Sequence, residues 1–331
     1  MQVFVTGGAG YGGAAIIRKL AERGHEVTAC DQVAPEEAWR LRDLIDGGHV
    51  RYLWKAVQDL APWDVADFDR ALHMAAVADV ASGHHSPEWT VQNNVMPTVH
   101  LLECLRKVAL RAGFLTILAG TAHELEAAGD VLLTEDSPIQ PGTPYGFSKS
   151  CQELAFRTWG HAYGVPWAVM RNGIVAGRGM RRQIAPYLWC RRILRDLPVE
   201  LHGRGLQTRD LTDGRDTAEA WVRAVESPAD KIRGQVLQVS RGIEITVADM
   251  LEMCYLACER ILGRKVDRQI EHGPDRPGEE GMRERFDCSK TRALLAWEPR
   301  YSPEDTIRDV AEWAAEELGL HPLVAEAKST A

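Results

Sequence analysis

A doubly wound parallel α/β sheet with a smaller interleaved lobe is the fold that this sequence predicts. Three observations carry that reading. Short β-branched runs alternate with amphipathic helical stretches through the first two-thirds of the chain, a glycine-rich turn joins the first strand to the first helix, and the alternation breaks after about residue 176. Strand–helix alternation at this spacing places crossover helices on both faces of a parallel sheet.

In chain order, QVFVT (2–6) reads as a buried strand and AAIIRKLAERG (14–24) as a helix stopped by glycine. Further strands are expected at 25–31, 49–54, 70–76, 113–120, 167–173 and 234–240. Long helices are expected over 87–109 and 145–164. Beyond residue 176, loops rich in Gly, Arg and Pro replace the regular rhythm. Residues 1–175 are thus expected to form a dinucleotide-binding domain. Residues 176–331 are expected to be mainly a substrate-binding lobe, interleaved with the last sheet elements, with a frayed tail from about His321.

The 331 residues suffice for one large domain and a smaller one, and 45% hydrophobic with 26% charged residues is ordinary for a globular protein. A net charge of −8 disfavours binding to nucleic acid or to an anionic membrane, so an anionic substrate must be captured by locally placed arginines. The seven cysteines form no CxxC pair. Cys254 and Cys258 are four apart, but no second Cys/His pair at ligand spacing accompanies them, so packing is expected and no metal. Scattered, odd-numbered cysteines suggest a reducing compartment. Met1–Gly8 reads as a strand entering a loop, without a basic leader, and no run of about 18 apolar residues is present to span a membrane. A cytoplasmic location is the expectation.

The turn TGGAGYGG (6–13) carries Gly7, Gly10 and Gly13 at the spacing of a dinucleotide-binding loop. Each glycine answers a need that a Cβ would obstruct: a tight turn, backbone approach to a pyrophosphate, or close helix–strand packing. The helix N-terminus behind the loop offers free N–H groups to phosphate. Asp31, eighteen residues after Gly13, ends the next strand. Its carboxylate suits ribose hydroxyls and repels a 2′-phosphate, which favours NAD over NADP. Asp59-Leu60, after the third strand, is a candidate adenine contact, with a surface loop acid as the alternative.

Tyr145 and Lys149 lie one helical turn apart in PYGFSK. A phenol with a pKa of about 10 is a poor base at neutral pH, and a nearby ammonium is expected to lower it. Thr121 closes the strand before this helix, at the sheet end where reactive groups collect, and can bond the substrate oxygen that Tyr145 deprotonates.

These residues together resemble the extended short-chain dehydrogenase/reductase family, with its Rossmann fold, and within it the NAD-dependent sugar-nucleotide epimerases and dehydratases, such as UDP-glucose and UDP-glucuronate 4-epimerases. TGGAGYGG is similar to the family's TGGAGYIG, LHMAA (72–76) to IHLAA and NNVMPT (93–98) to NNVxGT. The approach TEDSPIQPGTPYGFSK, GRGLQTRDL (203–211) and RPGEE (276–280) also match in register. The resemblance implies that Tyr145 is the base, Lys149 its activator and ribose ligand, and Thr121 the hydroxyl partner. It implies cofactor contacts at Gly7, Gly10, Tyr11, Gly13, Ala75, Ala76 and Asn94, the last from a helix beneath the sheet that supports the site. Arg209 and Arg276 would grip a nucleoside diphosphate, with Glu279 at a ribose position. Relatives of this kind form homodimers through two long helices per subunit, here 89–109 and 146–163.

The family's first step gives a keto sugar, and later steps depend on extra acids. Dehydratases carry Asp-Glu directly after the catalytic Thr, and uronate decarboxylases a Glu two positions after it. Here the sequence is Thr121-Ala122-His123-Glu124, which favours epimerisation: inversion at C4 of a hexose or hexuronate is the expected outcome. Dehydration, decarboxylation or one-way ketone reduction is the alternative, and a non-catalytic NAD-sensing regulator a minor one. His123 or Glu124 as a substitute acid stands against a structural turn role. In GRGMRRQ (177–183), Arg181 either reads a sugar carboxylate or, with Arg178 and Arg182, faces solvent near the diphosphate. Ile174, Gly177-Arg178, Gln238 and Gly12 depart from the family pattern, so an atypical substrate pocket is expected.

Overall fold

The computed structural model describes residues 1–125, 131–274 and 281–320. Its main sheet has seven parallel strands: β1 (Gln2–Thr6), β2 (Glu26–Asp31), β3 (Arg51–Trp54), β4 (Arg70–His73), β5 (Leu115–Thr121), β6 (Trp167–Asn172) and, from late in the chain, β10 (Val236–Val239). They lie in the order β10-β6-β5-β4-β1-β2-β3. Strand order reverses between β1 and β4, which opens a crevice at the carboxyl edge there. Strand β4 stops three residues short of the expected run. Met74 N–H still bonds Thr6 O at 3.1 Å, but the chain then leaves the sheet to meet the glycine turn.

Helices α1 (Tyr11–Glu22) and α2 (Arg42–Asp46) follow β1 and β2, and α3 (Val80–His85) and α4 (Pro87–Arg106) follow β4. Helix α5 (Pro144–Tyr163) starts on Thr143, whose hydroxyl accepts the Gly146 N–H, with Pro144 at its first position; it ends on Gly164 at φ 71°. Helices α4 and α5 pack side by side over Leu101, Leu105, Phe114, Phe156 and Val169.

The remaining elements are β7 (Ile174–Ala176), α6 (Ala185–Ile193), β8 (Val199–His202), β9 (Thr208–Asp213), α7 (Gly214–Glu226), α8 (Ala229–Ile232), β11 (Glu244–Thr246), α9 (Val247–Leu262), β12 (Ile270–Gly273), α10 (Ser289–Leu295) and α11 (Pro303–Glu317). Strands β11, β9 and β7 form one small sheet, and β12 pairs with β8. Helices α6, α9 and α11 enclose a second core around Tyr187, Cys190, Leu251, Tyr255, Ile307 and Val310. Cys254 and Cys258 are buried in that core, their thiols directed at Pro186 O and Cys190 O. Helix α7 instead covers the main sheet, and its Trp221 is fully buried while donating to Asn172 Oδ1 at 3.1 Å.

Trp221 therefore ties the second half of the chain to the carboxyl end of β6. Trp221→Ala should cost about 3–5 kcal/mol of stability, because a large cavity and an unpaired amide oxygen remain. Urea titration followed by circular dichroism checks this, and a midpoint unchanged from the parent would contradict it.

Candidate active site

The register of the main sheet aligns four polar side chains along its carboxyl edge. Thr6 pairs with His73 across β1 and β4, and Thr121 with Asn172 across β5 and β6. A cavity of about 1310 Å³ opens over this edge, between the sheet and the α6–β9 region. That exceeds the roughly 300–1,000 Å³ of a single small-molecule site, leaving room for two ligands.

At one end the glycine turn forms a cradle that side chains would fill. Gly7 has φ +69°, and a Cβ there would lie 2.6 Å from Ala75 N; one on Gly13 would lie 2.3 Å from Gly7 O. Gly10 is the N-cap of α1, and its backbone accepts the Ala14 N–H. Asp31 accepts the Ala9 N–H at 3.0 Å and the Val33 N–H at 3.1 Å, which aims its carboxylate along the cavity wall. Ala75 and Ala76 line the same wall. Tyr11 also lines it, but its hydroxyl reaches the second half of the chain, where a Cβ on Gly214 would come within 2.2 Å of it. Burial, then the charges of Asp213 and Asp309, push that phenol far above its ordinary value.

Two expectations need correcting here. Asp59 is exposed, and Leu60 is buried in the core under α4, where its carbonyl bonds His100; the cavity wall is instead Ala56, Val57 and Gln58. The tight turn at Val57–Asp59 swings the later pair away. Asn94 is fully buried behind the wall and does not line the cavity. It accepts the Val77 N–H at 2.6 Å and donates to Ser148 Oγ at 2.8 Å, so it holds the wall to α5. Its neighbour Asn93 faces the cavity.

Thr121, Tyr145 and Lys149 converge at the middle of the cavity. Two glycines permit this. A Cβ on Gly146 would lie 2.2 Å from His123 O, and one on Gly83 3.1 Å from Tyr145, so α5 sits directly on the β5 turn and on α3. Burial pushes the Tyr145 phenol up to about 12, and the Thr121 side chain, bonded to it, pulls the other way. Burial also draws the Lys149 ammonium down, against the nearby Glu124 and Glu153. The expected lowering of the phenol is thus not supplied by the protein's own charges, because desolvation outweighs them.

The Lys149 ammonium donates to Gln152 Oε1. Gln152 Nε2 donates to Asn94 O at 2.9 Å and to Thr98 Oγ1 at 2.6 Å. The Thr98 hydroxyl donates to Asn94 O at 2.7 Å, so its oxygen accepts from His73 Nε2 at 2.8 Å. His73 then accepts at Nδ1 from the Thr6 hydroxyl, also at 2.8 Å. Burial, reinforced by Lys149, lowers the His73 imidazole to about 3, consistent with that neutral tautomer. One buried chain of bonds thereby joins the lysine to the residue preceding the glycine turn.

Beneath Thr121 lies a second polar cluster. Glu124 Oε1 accepts the Thr121 N–H at 2.7 Å, and Arg171 forks onto Glu153 at 2.9 and 2.8 Å. All three side chains are essentially inaccessible. Burial and then the facing Glu153 push the Glu124 carboxyl above its ordinary value, while Arg171 holds Glu153 below its own.

The three loop arginines separate. Arg178 pairs with Glu316 and Arg182 with Glu317, both at the surface; Arg181 turns inward onto Ala78 O and Asp79 and lines the cavity. Arg209 is buried at the far end of the cavity wall, its Nε 3.8 Å from Glu284. Arg276 and Glu279 lie outside the described residues. The sequence reading missed Arg40, which bonds Gly179 O and Ala9 O beside the glycine turn, and also missed Gln152. Gln152 had a local signal, one helical turn after Lys149; Arg40 had none. Among the described residues no cluster of metal-ligating side chains occurs, and no helix is long and apolar enough to cross a membrane.

Residues 3–240 match the model of the NAD dependent epimerase/dehydratase family. Relatives include a UDP-glucuronate 4-epimerase of Thermodesulfobacterium geofontis, 24% identical over 96% of this chain and 97% of that protein. A dTDP-glucose 4,6-dehydratase of Streptomyces niveus is 27% identical, over 95% of this chain and 92% of its own. Among solved structures, a UDP-glucuronic acid 4-epimerase from Bacillus cereus, in complex with UDP-glucuronic acid and NAD, superposes with a TM-score of 0.86 at 23% identity. That match covers 96% of this chain and 100% of the other.

The Glu124 cluster predicts a pH signature. A carboxyl raised in the folded state contributes stability that is complete below its unfolded value of 4.5 and is lost as pH rises towards its folded value. Glu124→Gln keeps the acceptor for Thr121 N–H and does not titrate. Its thermal midpoint should therefore gain on the parent progressively above that pH; a constant difference from pH 4 to 9 would contradict the assignment.

Proposed function

We propose, for a chain that belongs to the NAD-dependent epimerase/dehydratase family, that it inverts C4 of a nucleoside-diphosphate hexose or hexuronate through a transient keto sugar. The observation that carries this is the convergence of Thr121, Tyr145 and Lys149 on a cavity large enough for two ligands. The glycine cradle, Asp31 and the alanines suit NAD: the cradle takes a pyrophosphate where a Cβ would collide, and Asp31 takes ribose hydroxyls. When bound, that cofactor supplies a hydride acceptor and a cationic ring beside the phenol.

In this reading Tyr145 removes the C4 hydroxyl proton while Thr121 donates to the same oxygen. Lys149 holds the cofactor ribose and stabilises the phenolate, its own position set by Gln152. The keto sugar would turn about its diphosphate anchor, for which Arg209 and Arg276 are the proposed grips, and Tyr145 would return the proton to the C4 oxygen once the other face is presented. Glu279 would sit at the substrate ribose. Ala122 after Thr121 offers no acid to expel a hydroxyl, which weighs against dehydration despite the dehydratase relatives. Arg181, held by Asp79, reads a carboxylate only on exchanging that partner. The region after residue 176 serves as the substrate lobe, with β10 and α7 returned to the cofactor domain.

Homodimerisation through α4 and α5 completes the proposal, in a cytoplasmic setting. Their outer faces expose Trp89, Met96, Phe147 and Leu154, each at least half accessible.

Purified protein incubated with UDP-hexoses and UDP-hexuronates should interconvert one epimer pair without net NADH accumulation. Tyr145→Phe should lower that rate by roughly 10²–10⁴-fold, and full activity in this variant would sink the assignment. Met96→Glu combined with Leu154→Glu should halve the mass measured by light scattering; a parent that is already monomeric would exclude the dimer.

A further inference from the structure

The turn after β5 presents one further group to the cavity. The backbone of Ala122–Glu124 is fixed on both sides: Glu124 Oε1 holds Thr121 N–H, His123 N–H points to Thr121 Oγ1 at 3.4 Å, and the first turn of α5 rests on His123 O through Gly146. The His123 imidazole lines the cavity and meets the Tyr145 ring edge-on, with centroids 5.9 Å apart and planes at 70°. Among the described residues its ring nitrogens have no hydrogen-bond partner, in contrast to His73, which is bonded at both. Burial, then the charge of Arg209, lowers its basicity to a pKa of about 4, and the imidazole, set against the phenol, shares the cavity wall with that arginine.

With a diphosphate on C1 held at Arg209 and an oxidised C4 at Tyr145, a sugar ring would span the two residues, and His123, which lines the same cavity, would flank the carbons next to the carbonyl. We propose that His123 is a second acid–base group of this site, exchanging a carbon-bound hydrogen adjacent to the keto carbon with solvent. The proposal rests on the C4 oxidation described above.

The step balances without a further reactant. An imidazole lone pair takes the proton from the carbon beside C4. The C–H electron pair becomes the double bond of an enolate, and the carbonyl pair moves onto oxygen, where Thr121 and the now-protonated Tyr145 donate hydrogen bonds. The imidazolium exchanges its proton with water, and returning a proton to carbon restores the ketone. A bound diphosphate offsets Arg209 and so raises the basicity of His123 when substrate is present. Return from the opposite face would invert that carbon as well.

The holoenzyme incubated in D₂O with the UDP-sugar panel tests this, with NMR and mass spectrometry of the recovered sugars. Hydride returned to C4 is not solvent-derived, so deuterium on C3 or C5 reports the second step alone. The expected result is deuterium on one of these carbons, with the amount per C4 inversion falling about a hundredfold in His123→Gln and His123→Ala. In the parent, the same ratio should fall at acid pH as the imidazole becomes protonated. C4 inversion with no deuterium on carbon, or with an unchanged ratio in the variants, overturns this proposal alone. Deuterium dependent on His123 without C4 inversion keeps it and overturns the epimerase reading; neither signal overturns both.

Discussion

A buried ammonium governs the construction of this molecule. Lys149 is almost inaccessible, and a charge out of water is tolerable only if its donors are met and counter-charge is near. Gln152 accepts one of those donors, and the Glu124–Glu153 pair supplies the counter-charge, carried by Glu153 while Glu124 is pushed towards its neutral form. Gln152 in turn is fixed by Thr98 and Asn94, Thr98 by His73, and His73 by Thr6. The lysine's position is therefore registered against the first strand and the glycine turn that follows it. This chain of bonds runs between helices α4 and α5, alongside the apolar core that packs them together.

The same burial sets the chemistry. It pushes the Tyr145 phenol up and pulls the Lys149 ammonium down, so neither group is activated by the folded chain alone. In the proposed reaction, activation would then depend on a cationic ligand entering the cavity, which would couple base strength to occupancy. The Glu124–Glu153–Arg171 cluster pins the turn that carries Thr121, and Asn172, bonded to Gly120 O and to Trp221, extends the anchoring to α7. Each reactive side chain rests on contacts from elements far away in sequence.

Much of this was legible in the sequence, and its limits have physical reasons. Gly7, Gly13 and Asp31 announce themselves because a tight turn, a helix start and a strand end are local events. Tyr145 and Lys149 are a helical turn apart, so their shared face follows from the helix period. Asp59 and Leu60 misled because a short turn of 3₁₀ type shifts the cavity wall to residues 56–58. Asn94 was placed beneath the sheet, yet its bonds to Val77 and Ser148 depend on pairings 17 and 54 residues distant. The Glu124 cluster and Arg40 were invisible for the same reason: nothing local marks a carboxyl that will be buried against another.

The central claim is that one hydrogen leaves C4 as hydride and the same hydrogen returns to it, with Tyr145 handling the proton. A substrate carrying deuterium at C4 tests it most directly. Incubated to epimeric equilibrium in ordinary water, both epimers should retain the label at C4. Loss of that deuterium to solvent would contradict the account.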